Sequence, residues 1–246
     1  AATDQLDSEL RGTVQLRTDV DAAARDEIFR IAAQTDAQTS AVLGKLGFTR
    51  RSNAPAQLRI YAGLGAFEDF MRRTRDPYTP IDDQSFYNAR DDEVVCAWQD
   101  GSAAAVGQLR RQISRHVLSQ HAKEPPNWFA EGFSRYLEGV RADPFGEPMT
   151  TLALDYFERV RADLEKETVC PLETLLELKD VDFYGFAGAR NAKWSRPTLY
   201  AQSWSLLYFI LRAEAADDAA MHAFVELLVA RATSGRWKAA PLKRAL

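Results

Sequence analysis

The chain has 246 residues, 46% of them hydrophobic and 27% charged, a composition that suits a folded protein long enough to bury a sizeable core. Its net charge of −4, with Arg50-Arg51, Arg72-Arg73 and Arg110-Arg111 scattered along it, argues against nucleic acid as a partner, which needs a basic face. No apolar run reaches the roughly eighteen residues of a membrane-spanning helix, so no membrane span is expected. The two cysteines, Cys96 and Cys170, would either pair in an oxidising compartment or stay as two buried thiols.

In chain order, Thr13-Val-Gln-Leu-Arg-Thr18 alternates apolar and polar residues, the period of a half-buried strand. Asp19 or Asp21 can cap a following helix that runs to about Leu46, where Gly44 and Gly47 end it. Gln57–Tyr61 reads as a second strand, and Gly63 and Gly65 turn the chain into a short helix over Ala66–Arg73. Asp76-Pro77 and Thr79-Pro80 mark a loop. Ser85–Asn88 and Glu93–Trp98 form a hairpin around Ala89-Arg-Asp-Asp92. This order predicts a small mixed sheet with helices on one side.

From there the chain reads as helical. Gly107–Lys123 and Pro126–Val140 are two helices separated by Glu124-Pro125-Pro126. Thr151–Lys166 and a short helix from Pro171 to Leu178 follow, then a loop over Val181–Asn191. Arg196–Arg212 is apolar on nearly every face, which predicts a buried central helix, and Asp217–Ala232 closes the chain ahead of a frayed tail. The division expected is an α/β lobe over residues 1–100 and a helical lobe over 101–246, together making one continuous unit.

The chemistry-bearing stretch is the pair of helices over 107–140. The segment Trp128-Phe-Ala-Glu131-Gly132-Phe-Ser-Arg-Tyr136-Leu-Glu138 resembles the W-x-x-E-G-x-x-x-Y-x-E helix that supplies the third zinc ligand in gluzincin metallopeptidases. Tyr200-Ala-Gln-Ser-Trp204-Ser-Leu-Leu-Tyr208 is similar to the helix after the active site in the peptidase MA-like domains of otherwise unknown function. The order of elements in the first lobe fits that family as well. The resemblance implies an α+β, zincin-like fold and a zinc site built from an H-E-x-x-H helix and the glutamate of the next helix.

In this chain the H-E-x-x-H motif is degenerate. With His116 as the second histidine, Gln112 stands at the first histidine and Ile113 at the glutamate, while Glu131 takes the third ligand position. The pair His116 and His121 offers no alternative, because five residues turn a helix by about 140° and the two imidazoles diverge. A neutral amide is a poor zinc ligand and an isoleucine cannot take a proton from water. Taken with the resemblance, this predicts a vestigial active-site cleft of Gln112, Ile113, His116, Glu131, Arg135 and Tyr200, with no catalytic residues and no cofactor; any zinc would fall to His116 and Glu131.

Plainer roles compete at each position. Ile113 shares an apolar stripe with Val106, Leu109 and Val117; His116 is then a hydrogen-bonded histidine at the edge of that stripe. Arg135 stands four residues after Glu131, the spacing of an ordinary exposed ion pair, or it compensates Glu131 in a site without zinc. Tyr200 is either core or a group near the cleft. His121 lies at a helix C-terminus, where its partial charge is mildly favourable, and His222 is an edge residue.

The function expected is that of a pseudopeptidase, a catalytically inactive metallopeptidase homologue whose cleft binds a peptide or protein, with the hairpin strand at Phe86 or Val94 pairing an extended segment. One alternative is a working metal-dependent hydrolase that uses Gln112, His116 and Glu131, with Glu124 as base. The other is a structural or assembly module with a filled cleft. The alanine start, together with the habit of the family, points to an exported protein, periplasmic or extracellular.

Overall fold

The computed structural model describes residues 6–74, 84–99, 101–142, 148–150, 154–185, 193–215 and 219–234. The loop expected at 76–80 therefore lies outside the described residues. The chain divides into two compact units, one of Ala1–Ala41 with Arg50–Gln120 and one of Val42–Thr49 with His121–Leu246.

The first unit holds β1 (Asp7–Arg11), β2 (Val14–Thr18), most of α1 (Ala22–Lys45), β3 (Ala56–Tyr61), α2 (Leu64–Thr74), β4 (Ser85–Asn88), β5 (Glu93–Ala97) and α3 (Ala103–His121) up to Gln120. The strands make one mixed sheet in the order β1-β2-β3-β5-β4. β2, β3 and β5 run parallel, while β1 and β4 are antiparallel edges. An α+β architecture is thus present, with α1 as the crossover between parallel strands β2 and β3.

Helices cover both faces of this sheet, not one side as the order of elements suggested. Alternation along the central strands is the cause. Leu58 and Ile60 of β3 and Val94 and Cys96 of β5 pack with Ile28 and Ile31 of α1 and with Leu109, Ile113 and Val117 of α3. Their neighbours Tyr61, Val95 and Ala97 point the other way and pack with Phe67 and Phe70 of α2. Rings meet there at 5.6 Å between Tyr61 and Phe70 and 6.3 Å between Phe67 and Phe86.

Polar signals place the helix ends. Asp21 Oδ1 accepts the Ala24 amide at 2.8 Å and caps α1, whereas Asp19 Oδ1 accepts the Ala62 amide at 2.7 Å and holds the turn after β3. At the other end of α1 Gly47 has φ +88°, and the Phe48 amide reaches back to the Leu43 carbonyl at 2.9 Å. Helix α3 begins four residues before the expected Gly107, because Ser102 Oγ accepts the Ala105 amide at 3.2 Å. β1 escapes a reading by periodicity: its sole apolar residue, Leu10, is exposed.

The second unit holds α4 (Asn127–Glu138), the ribbon of β6 (Val140–Ala142) and β7 (Pro148–Thr150), α5 (Leu154–Glu165), the short α6 (Leu172–Leu175) and α7 (Asp180–Phe183), α8 (Arg196–Ala215) and α9 (Ala219–Ser234). α8 is central to this unit, touching α4, α5 and α9, but it is not buried on every face as its apolar sequence suggested, since Phe209 is exposed. Its buried residues include Leu199, Tyr200, Ala201, Trp204, Leu207 and Ile210. α7 occupies the start of the segment expected to be loop. Phe48 stacks on Phe129 at 5.7 Å, and Phe129 meets Trp128 and Phe133 at 5.7 and 5.6 Å. Gln202 holds both backbone groups of Cys170 at 2.9 Å, tying the lead into α6 to α8.

α4 and α8 come close together at Gly132. A methyl group added at Gly132 would lie 2.3 Å from the Ser203 carbonyl oxygen and 2.8 Å from its carbon, both backbone atoms of α8. Gly132→Ala should therefore destabilise the protein by roughly 1–3 kcal/mol in urea unfolding, as expected for overpacking. Gly44→Ala is the matched control, since nothing lies within 4 Å of its added carbon; there the helix should gain about 0.5–1 kcal/mol.

Candidate functional site

Three of the expected site residues lie on α3 in the first unit. Ile113 is 1% exposed and belongs to the hydrophobic cluster between the sheet, α1 and α3. Gln112, equally buried, donates from Nε2 to Ser85 Oγ at 3.1 Å, on edge strand β4. Neither side chain is placed to activate water.

His116 is buried with both ring nitrogens engaged. Nδ1 lies 2.7 Å from Asp92 Oδ1 and Nε2 lies 2.9 Å from Gln120 Nε2. Gln120 decides the tautomer. Its Oε1 accepts from Arg50 Nε at 2.9 Å and also from Arg50 Nη2, so the amide cannot be reversed without facing that oxygen away from the guanidinium. The two N–H groups of Gln120 then donate to the Ala54 carbonyl, at 2.8 Å, and to His116 Nε2. In this arrangement Nε2 accepts from Gln120, and Nδ1–H donates to Asp92.

Asp92 sits in the turn between β4 and β5 at φ +51°, a conformation that aspartate tolerates better than most residues. The same Oδ1 also accepts the Tyr87 hydroxyl at 2.6 Å. Burial on its own would raise the Asp92 pKa, but hydrogen bonds from His116 and Tyr87 outweigh it and hold the carboxyl below its ordinary range. The Tyr87 hydroxyl is pushed up, first by its burial and then by donating to Asp92. The result is a closed chain from Tyr87 through Asp92, His116 and Gln120 to Arg50. Spacing alone pointed only to His116.

The other three site residues lie together in the second unit. Glu131 is fully buried on α4, and its Oε1 accepts the Tyr184 hydroxyl at 3.0 Å. Its Oε2 lies 3.5 Å from Arg135 Nε, one turn on. Arg135, 5% exposed, donates from Nη1 to the Tyr156 hydroxyl at 2.9 Å. Its guanidinium carbon stands 3.8 Å from the centre of the Tyr200 ring, a cation–π contact. The expectation of an ordinary exposed pair is therefore corrected: the Glu131–Arg135 pair is buried, in a nest of three tyrosines. Tyr156 and Tyr184 carried no signal in the sequence, one lying in an amphipathic helix and the other in a segment read as loop.

No resident zinc fits these side chains as they stand. The accepting nitrogen of His116 is taken by Gln120, Gln112 offers an amide, and Glu131 has a cation as its neighbour. Among the described residues, no three or more of His, Cys, Asp and Glu are grouped to hold a metal ion. Glu124, the alternative base, is exposed after α3. His121 is buried at the end of α3, and His222 is half-buried on α9.

Both cysteines are free and buried. Burial pushes the Cys96 thiol up to about 12 and the Cys170 thiol up to about 11, against small opposing effects of Arg111 and Lys193. Neither is a thiolate nucleophile near neutral pH. No described helix is long and apolar enough to cross a membrane. Set against family models, curated proteins and solved structures, the chain matches none of them.

Two outcomes follow from this geometry. The folded-state pKa of Asp92 is depressed, so its charge contributes stability that is fully present above the unfolded value of about 4 and is lost as pH falls through the folded one. Asp92→Asn keeps a residue suited to positive φ; the stability gap to wild type should be steady above about pH 5 and shrink below about pH 4. A gap that persists unchanged at pH 2 would assign the effect to shape, not charge. For the buried pair, Arg135→Met should cost about 3–5 kcal/mol, because it removes one partner of a buried ion pair. Adding Glu131→Gln should recover part of that loss in urea unfolding.

Proposed function

We propose that this chain is a catalytically inactive metallopeptidase-like protein, a pseudopeptidase with a zincin-like fold, that binds an extended peptide or protein segment. One observation supports the inactive part of this reading most directly: the side chains at the positions corresponding to H-E-x-x-H and its partner glutamate are already committed to other groups. Gln112 bonds Ser85, Ile113 is core, His116 is held between Asp92 and Gln120, and Glu131 is paired with Arg135. Acting as a metal ligand would require His116 to give up the Gln120 bond. Acting as a general base would require a group that position 113 does not carry.

The binding part rests on β4. Ser85–Asn88 is an edge strand whose pairing, among the described residues, is with β5 alone. Edge strands accept a further strand through their backbone groups, so an extended segment laid along β4 is the partner suggested here. Export remains part of the proposal through the family resemblance. A second reading, a structural or assembly module, is favoured by the packing of Arg135 between Glu131 and Tyr200, which fills that part of the second unit with its own side chains.

The proposal is tested on the full chain purified with zinc present. Elemental mass spectrometry should find no stoichiometric zinc, and casein-type substrates should show no turnover. One zinc per chain, or turnover abolished by His116→Ala, would overturn the inactive reading in favour of the altered hydrolase. Hydrogen exchange with a library of extended peptides separates the two inactive readings. Slowed exchange at Ser85–Asn88 supports binding along β4; unchanged exchange there, with the fold intact, leaves the structural module.

A further inference from the structure

We draw no further inference here: the strongest candidate, the cavity of about 450 Å³ beside the carboxyl ends of β2, β3 and β5 and the start of α1, is lined by Asp19, Asp21 and Glu27, whose carboxylates already hold the Ala62 amide, cap α1 and pair with Arg30, and nothing in the structure points to a ligand there.

Discussion

The second unit depends on a contact that only a glycine permits. At Gly132 the backbone of α4 comes so close to the Ser203 carbonyl of α8 that a methyl group has no room. A glycine inside a helix ordinarily costs about 1 kcal/mol relative to alanine. Here that cost is offset by bringing two helices to backbone contact, which sets where every other side chain on α4 falls. Trp128, Phe129 and Phe133 enter an aromatic core with Phe48, and Glu131 and Arg135 are turned inward beside Tyr200. The buried ion pair lies on the same helix, one residue before and three after this close approach.

The same contact gives the sequence pattern of α4 a physical content. Trp128 is core, Glu131 is tied to Tyr184 and Arg135, and Gly132 makes the close approach. Tyr136 places its ring 6.5 Å from that of Tyr208 on α8, and Glu138 lies 3.5 Å from the Tyr156 hydroxyl. Each residue of the motif has a local partner within the second unit. Packing within the second unit is therefore sufficient to account for this pattern of residues on α4. In the first unit, the polar face of α3 belongs to a network that fastens the β4–β5 turn to His116 and the Arg50–Ala54 segment to Gln120.

How much of this was legible in the sequence differs by element. The strands β2 and β3 and the long helix α1 follow from periodicity, because their burial repeats as the residue types do; β5 and α8 stand out as apolar runs, although Phe209 on α8 is exposed. β1 is hidden because Asp7, Glu9 and Arg11 carry the charges of an exposed edge. That helices cover both faces of the sheet follows from Val95 and Ala97 being as buried as Val94 and Cys96; a continuous apolar run in β5 signals such a strand, yet resembles any short hydrophobic stretch. For the site, His116, Glu131 and Arg135 stood out by type and spacing. Asp92 and Arg50, in the network around His116, and Tyr184, beside Glu131, did not, since they come from turns and distant segments. Gln120 alone left a trace, four residues after His116 and so on the same helical face.

The two thiols have a consequence of their own. Cys96 lies in the first unit and Cys170 in the second, each shielded from solvent and each held in its protonated form by burial. An alkylating reagent therefore reacts with either one only when the surrounding structure opens, after which an ordinary exposed thiol is presented. The chain thus contains one built-in reporter of breathing in each half. The ratio of the two labelling rates measures which half loosens first, without any engineered probe.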